Sequence, residues 1–338
     1  MKILGIETSC DETSAAVIEE NRVLSNVISS QSVHLQFGGV VPELASRAHL
    51  RKIVPIVEDA LKQAECSFHD LDAFAVTHGP GLIGALMVGV NYVKGLTTVF
   101  NKPFIGVNHT EGHVYSNFLE NEAIQLPLLC LIVSGGHTQL VVMKSHLNYQ
   151  IIGSTRDDAV GEAFDKVAKL LNLPYPGGPE IDRLARNGDS GFFRFPVGLS
   201  KEKTFDFSYS GLKTAVLNYV NKNGDAYVQN NLPDICASFQ HAAIKPLIDR
   251  AIRAARTYSI PQIAIAGGVA ANSHLREMMK QSAGKYHIKV YFPAMHYCTD
   301  NAAMIARAGL ERLKHGERSQ LTLNTYASLK LGALKHLE

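Results

Sequence analysis

The pattern of apolar and polar positions in the first third of the chain predicts three strands followed by two helix–strand units. The strand segments are rich in β-branched and aliphatic residues, and the positions Leu50, Val54, Val57 and Leu61 repeat at the spacing of one helix face. The predicted elements are strands Lys2–Glu7, Ser14–Glu19 and Arg22–Ile28, a helix from about Pro42 to Ala64, strand Ala73–Thr77, a helix from about Leu82 to Phe100 and strand Phe104–Val107.

The same order of elements begins again near residue 125. The pattern predicts strands Leu128–Val133, Gln139–Lys144 and Tyr149–Gly153, helix Ala159–Leu171, an insertion at about 173–232, helix Pro233–Tyr258, strand Gln262–Ala266, helix Asn272–Gln281, strand Ile288–Phe292 and helix Asn301–His315. Three hairpin strands followed by alternating helices and strands, twice over, indicate the α/β class. We therefore predict two mixed-sheet domains, residues 1–124 and 125–338, with a cleft between them.

Each predicted domain opens with two strands joined by a turn of small and polar residues. The first turn follows Glu7, and the second is Ser134-Gly135-Gly136. Such a turn exposes backbone N–H groups that can hold an anion, although a single one is ordinarily only a hairpin. Two copies facing one another across the cleft would hold a nucleotide.

Composition narrows the class of protein. The chain has 338 residues, 46% of them hydrophobic and 19% charged, with a formal net charge of +2. These values indicate a soluble, well-packed protein whose contact with RNA would need a local basic patch, for which the mixture of charged and aromatic residues at 192–203 is a candidate. The five cysteines are scattered, which favours a reducing compartment, and the N-terminus has no signal-peptide pattern. The longest apolar run has only nine residues (82–90), too few to span a membrane. We therefore expect a cytoplasmic protein.

Two histidines are the first candidates for metal ligands. His109 and His113 are four residues apart directly after a predicted strand, so on a helix they share one face. With 14 histidines in the chain, the spacing also arises by chance. Asp300 is the best third ligand, expected to reach the same cleft from the second domain, and its alternative role is a helix N-cap. Glu111 lies between the histidines without the H-E-x-x-H order of a zinc peptidase.

Four further residues lie in predicted loops or helix starts where a substrate could bind. Asn272 follows Gly267-Gly268 at a strand-to-helix turn, where it contacts a nucleotide or simply caps the helix. Asp165 on a predicted helix binds a ligand hydroxyl, or it is solvated or paired with Lys169. Gly178 and Asp182 belong to a helix start whose N–H groups meet an anion or are capped normally.

Taken together, these segments resemble the bacterial tRNA threonylcarbamoyladenosine transferase family, once called O-sialoglycoprotein endopeptidases. The resemblance covers nearly the whole chain in the family's order. The matching stretches are Gly5–Val17, Gly38–Arg47, Gly79–Leu82, Asn108–His113, Val133–Gln139, Asp157–Asp182, Phe207–Ala215, Ala266–Arg276 and Cys298–Arg307.

The resemblance implies a two-domain fold of the actin/sugar-kinase/Hsp70 type. It also implies transfer of the threonylcarbamoyl group from threonylcarbamoyl-AMP to N6 of the adenosine 3′ of the anticodon (position 37), in tRNAs that read codons beginning with adenine. By motif position, His109, His113 and Asp300 are implied to be catalytic ligands of a divalent metal, with Fe²⁺ preferred and Zn²⁺ as the alternative. The implied substrate-binding residues are Ile132, Val133, Ser134, Gly135, Gly136, Asp165, Gly178, Asp182 and Asn272.

The resemblance further implies partners. They are tRNA, an inactive paralogue subunit (TsaB-like), a small ATPase (TsaE-like) and a separate synthase that supplies the adenylate.

Three other functions are alternatives to this one: a metallopeptidase, a small-molecule kinase and an ATP-dependent scaffold of the same fold. The peptidase is disfavoured by the position of Glu111. The kinase is disfavoured because Glu7 stands where such kinases usually carry an aspartate.

Overall fold

The computed structural model describes residues 1–31 and 39–333, so the matching stretch that begins at Gly38 starts just outside the described residues. The chain forms two compact units. Unit 1 contains residues 1–124, 145–149 and the described residues from Pro293 onward, and unit 2 contains residues 125–144 and 150–292.

Unit 1 is built around a five-stranded sheet with the order β3-β2-β1-β4-β5. Strand β1 pairs antiparallel with β2 and parallel with β4, and β4 pairs parallel with β5. The elements of unit 1 are β1 (Lys2–Glu7), β2 (Glu12–Glu19), β3 (Arg22–Ser30), α1 (Pro42–Gln63), β4 (Ala73–Gly79), α2 (Ile83–Phe100), β5 (Phe104–Asn108), α3 (His109–Ser116) and α10 (Ala302–Lys314).

Unit 2 is built around a second five-stranded sheet, with the order β10-β9-β6-β7-β8. Because β6, β7, β8, β9 and β10 take the places of β1, β2, β3, β4 and β5, the predicted duplication and the α/β class are confirmed. The elements are β6 (Leu128–Val133), β7 (Thr138–Ser145), β8 (Asn148–Ser154), α4 (Val160–Leu170), α5 (Gly177–Ala185), α6 (Ser210–Asn223), α7 (Asp225–Asn230), α8 (Leu232–Thr257), β9 (Gln262–Ala266), α9 (Ser273–Gly284) and β10 (Lys289–Tyr291). Helices α5, α6 and α7 occupy the predicted insertion.

The division into units differs from the predicted boundaries at the C-terminal end. Helix α10 packs on the sheet of unit 1, where the Ala302 N–H donates to Ser14 Oγ at 2.9 Å. Gly5 in β1 allows this close approach, since a Cβ there would lie 2.4 Å from the Ala302 carbonyl oxygen. The last helix therefore belongs with the first unit in space, although it follows the second in sequence.

Helix α2 is long and apolar enough to cross a membrane by length and composition alone. Its Val90 and Val93 are buried in the core of unit 1, together with Leu4, Ile6 and Phe74 of the sheet. Its inner face is thus that of a core helix in a folded domain.

The sheet topology decides where functional side chains collect. The parallel strands β1, β4 and β5 end at Glu7, Gly79 and Asn108, and the parallel strands β6 and β9 end at Val133 and Ala266. Ligands in open α/β sheets bind at the carboxyl ends of strands. Each unit therefore presents one such edge.

Candidate metal centre and nucleotide pocket

The two histidines lie on a short helix that starts immediately after β5. Asn108 caps α3, because its side-chain oxygen accepts hydrogen bonds from the N–H groups of Thr110 at 2.9 Å and Glu111 at 3.3 Å. This cap starts the helix at His109, so His109 and His113 lie one turn apart on one face. Their ring centroids are 4.7 Å apart.

Asp300 approaches both histidines from the segment before α10. Its Oδ1 lies 3.5 Å from His109 Nε2 and 3.2 Å from His113 Nε2. One ligand atom from each of the three residues lies within 4.8 Å of the others. The alternative role of Asp300 as an N-cap is wrong, because Asn301 caps α10 by accepting from the Met304 N–H at 3.0 Å. The expectation that Asp300 comes from the second domain is also corrected, since it lies in unit 1 with the histidines.

The carboxylate of Glu7, which was not among the residues predicted for the site, lies beside Nδ1 of His109. Glu7 Oε2 lies 3.0 Å from His109 Nδ1 and accepts a hydrogen bond from Thr77 Oγ1 at 2.7 Å. Ser9 Oγ also lies 3.1 Å from His109 Nδ1. With Nδ1 engaged in this way, Nε2 is the ring nitrogen that faces Asp300. An acidic residue at the end of an apolar buried strand was the signal in the sequence that could have identified Glu7.

The charges of these groups depend on one another. Burial alone would lower the pKa of His109, but the carboxylates of Asp300 and Glu7 raise that pKa well above its usual range. Burial would raise the pKa of Asp300, whereas His109 and His113 hold it well below its usual range. Nearby, burial together with Asp300 and Asp11 raises the pKa of Glu12 to about 9. Asp300 contributes to both raised pKa values, so its carboxylate gives the centre a negative potential that a bound cation would reduce.

The surroundings of His113 fit the role of a metal ligand. Its side chain is almost completely buried, yet neither ring nitrogen has a hydrogen-bond partner among the described residues. The contact of its Nε2 with Asp300 is close but does not have hydrogen-bond geometry. Buried polar atoms are nearly always satisfied, so an unpartnered imidazole nitrogen beside a carboxylate fits a bound metal ion.

Glu111, by contrast, is fully engaged elsewhere. Its carboxylate accepts from Arg312 at 2.7 Å and from the Tyr149 hydroxyl at 2.7 Å. A peptidase base would need a free carboxylate next to a metal-bound water. The geometry therefore adds to the motif-order argument against proteolysis.

In unit 2, glycines surround the end of β6. A Cβ on Gly267, whose φ is +93°, would lie 2.4 Å from the Val133 carbonyl oxygen, and a Cβ on Gly161 would lie 2.7 Å from that of Ser134. Ile132 and Val133 are fully buried, so only their backbone can face a ligand. Gly135 and Gly136 are exposed, and a Cβ on either would meet no atom within 4 Å. The turn therefore offers exposed backbone at the edge of the sheet.

The remaining predicted substrate residues in unit 2 make structural contacts. Asp165 accepts from the Gly177 N–H at 2.8 Å, and the N–H of Gly178 also bonds to this carboxylate, so the start of α5 is capped from within the chain. Asp182 accepts from Ser273 Oγ at 2.8 Å. Asn272 caps α9 through the Leu275 N–H at 3.0 Å and donates to Gln240 at 2.7 Å, which is the capping alternative. The structure brings Asp182 and the Asn272 turn together, and it places Asp165 at Gly177-Gly178.

Comparisons with known proteins agree with this architecture. A family model described as TsaD, tRNA N6-adenosine threonylcarbamoyltransferase, matches residues 22–307. Curated relatives with that name include one from Clostridium perfringens, 52% identical over 332 residues, and one from Clostridium kluyveri, 50% identical over 335 residues. Both alignments cover 98% of this chain and 98% of the relative.

The fold is also shared with a protein of low sequence identity. The (R)-2-hydroxyglutaryl-CoA dehydratase component A of Acidaminococcus fermentans superposes with a TM-score of 0.55 at 14% identity, covering 93% of this chain and 99% of that one. The duplicated sheets place this protein among two-domain α/β proteins of the actin/sugar-kinase/Hsp70 type. Within that class, the chain belongs to the tRNA N6-adenosine threonylcarbamoyltransferase family and is a transferase that modifies tRNA.

Proposed function

We propose that this enzyme carries out the transfer with a divalent metal held by His109, His113 and Asp300. The observation that carries the proposal is the convergence of three ligand atoms within 4.8 Å of one another, one of them on the buried imidazole of His113, whose nitrogens make no hydrogen bond among the described residues. Two imidazoles and one carboxylate with open positions are typical of non-haem Fe²⁺ and also suit Zn²⁺, so we propose iron first and zinc second. When bound, such an ion supplies a Lewis acid that can orient oxygen atoms of the threonyl part of the donor.

We propose that the donor is threonylcarbamoyl-AMP and that its nucleotide part lies at the β6 edge of unit 2. Gly135 and Gly136 would donate backbone N–H groups to the phosphate. The predicted third donor, Ser134, is corrected, because its N–H already donates to the His137 carbonyl oxygen at 2.8 Å and so closes the turn. Asp182 and the backbone of the Asn272 turn would border the nucleoside. Asp165 and Gly178 would act by holding the start of α5 in place.

The proposed reaction depends more on the orientation of the two substrates than on general acid–base catalysis. The N6 amine of the tRNA adenosine forms a C–N bond to the carbamoyl carbon, and the C–O bond between that carbon and the phosphate breaks. AMP leaves with the electron pair, and the N6 proton is released. Because AMP is a competent leaving group, the N–H groups of the turn contribute mainly by stabilising the negative charge that develops on the phosphate.

The proposed partners are a cytoplasmic tRNA, an inactive paralogue subunit, a small ATPase and an adenylate-forming synthase. What supports a protein partner is an apolar surface on α1 and α2, where Leu50, Val54 and Met87 are 64%, 46% and 48% exposed around a cavity of about 370 Å³. Exposed apolar patches of this kind mark protein interfaces. We propose that the paralogue covers it.

Leu50→Glu is expected to weaken pairing with the paralogue by roughly 10-fold or more, because it places a charge in an apolar interface. Sedimentation of the mixed subunits measures the effect. Leu321→Glu is the matched control, since Leu321 is another exposed leucine of unit 1, 54% exposed. If Leu50→Glu pairs with the paralogue as tightly as Leu321→Glu does, the interface does not include the apolar surface of α1 and α2.

Reconstitution tests the proposed reaction directly. The enzyme, its partners, an anticodon stem-loop RNA and labelled threonylcarbamoyl-AMP are combined, with the enzyme either metal-loaded or stripped by a chelator. We expect label in the RNA only with the loaded enzyme, and recovery when Fe²⁺ or Zn²⁺ is returned. Label transferred equally by stripped enzyme would contradict the metal proposal, whereas cleavage of a peptide library or sugar-stimulated ADP release would revive a rival function.

A further inference from the structure

The two units differ sharply in charge. Unit 2 contains 19 Lys and Arg against 13 Asp and Glu, whereas the whole chain has 33 against 31. The excess is concentrated at one end of unit 2, because residues 250–292 contain seven Lys and Arg and only one acidic residue, Glu277. A nearly neutral chain therefore contains one strongly basic segment.

Helix α8 presents part of this charge as a single stripe. Most of the helix is buried, and the exposed positions of its second half include Lys245, Asp249, Arg253 and Arg256, which recur at the spacing of one face. Asp249 pairs with Lys245 at 2.7 Å, which leaves the two arginines as the net charge of the stripe. From Lys245 to Arg256 the helix rises about 16 Å, a length over which a nucleic-acid strand presents several phosphates.

Aromatic rings support the cations at the end of the stripe. The Arg256 guanidinium lies 4.4 Å from the ring centroid of Tyr286, and Tyr286 is 46% exposed. Lys285 precedes that tyrosine and is exposed, as are Lys280 on α9 and Lys289 on β10. Guanidinium groups and rings held in this way can contact both phosphates and unstacked bases.

The other end of the stripe reaches the loop at 192–203, the segment predicted from its charged and aromatic residues to contact RNA. A cavity of about 530 Å³ is lined by Arg194 of that loop together with Lys245 and Arg253 of α8. Glu202 also lines the cavity, but it forms an ion pair with Arg156 at 3.0 Å. Through this cavity and α8, Arg194 is connected to Arg256 and its contact Tyr286, and Lys285 precedes that tyrosine in the sequence.

From this arrangement we infer that the surface formed by Arg194, Arg253, Arg256, Lys285 and Tyr286 binds the sugar-phosphate backbone of the tRNA. The inference rests on the proposed function, which requires a tRNA but does not say where it binds. The overall charge of +2 cannot attract RNA, so recognition must use a local surface, and this is the most basic part of the sequence. The partner is a folded RNA with phosphates at regular spacing.

The test compares two double variants in the reconstituted assembly. Arg256→Glu with Lys285→Glu reverses the inferred surface, and Lys169→Glu with Lys222→Glu makes the same change of net charge at exposed positions of unit 2 outside it. Binding of a full-length tRNA is measured between 50 and 200 mM salt, and transfer is measured at low and saturating tRNA. Thermal unfolding checks that both variants are folded.

For the surface variant we expect tRNA affinity at about 150 mM salt to fall at least about 10-fold, with the log–log salt slope reduced by about 1 for each lost contact. KM for tRNA should rise while kcat at saturating tRNA and the metal content stay unchanged, and the control variant should behave as the wild type. Equal losses in both variants, or a tRNA affinity of the surface variant equal to that of the wild type, would overturn the inference. A wild-type assembly that transfers nothing to tRNA would instead count against the proposed function.

Discussion

His113→Ala is expected to lose the metal and to lower threonylcarbamoyl transfer at least about 100-fold. Removing a group that only hydrogen-bonds to a metal ligand typically lowers metal affinity or activity about 10- to 100-fold. His113 is itself a proposed ligand, so the loss should be at least as large. Its buried nitrogens have no other partner among the described residues, so no neighbouring group replaces the lost ligand atom. Metal content after gel filtration and transfer of labelled donor to the stem-loop RNA measure the two effects.

His78→Ala is the matched control for this change. His78 is also fully buried in unit 1, but its Nδ1 lies 3.2 Å from the Asn324 carbonyl oxygen and it contacts Tyr326 rather than the proposed metal site. The His78→Ala variant should keep its metal even if its unfolding temperature falls. Wild-type metal content and transfer in His113→Ala would end the metal proposal.

Glu7→Gln is expected to weaken metal affinity about 10- to 100-fold while leaving the three proposed ligands in place. The carboxylate accepts from Thr77 and faces Nδ1 of His109 at 3.0 Å, which fixes the tautomer of that ring and makes Nε2 a better ligand. A glutamine keeps the size of the side chain but removes the charge. Competition with a chelating dye gives the affinity without relying on enzyme activity.

Two further variants separate positioning of the ligand from general damage. Glu7→Asp keeps the charge, so we expect it to recover part of the affinity, and Glu19→Gln makes the same chemical change at an exposed end of β2. Unchanged affinity in Glu7→Gln, with a normal unfolding temperature, would show that His109 needs no carboxylate behind it.

The sequence by itself determined the repeated order of elements, because each strand and helix has a strong local period. Lys2–Glu7, Leu128–Val133 and Gln262–Ala266 begin and end where the pattern predicted. The pair of histidines on one helix face was likewise readable, since four-residue spacing and a preceding strand are local features. Asp300 could be nominated as a ligand from its motif alone.

Only the tertiary structure decided what lies around those residues. Asp300 belongs to unit 1 because α10 packs back on β1, whose Gly5 has no Cβ to prevent it. Glu7 meets His109 across 102 positions of sequence because the parallel strands β1, β4 and β5 end at one edge. Such contacts depend on sheet order and on the packing of distant segments, and no local period of a sequence records them.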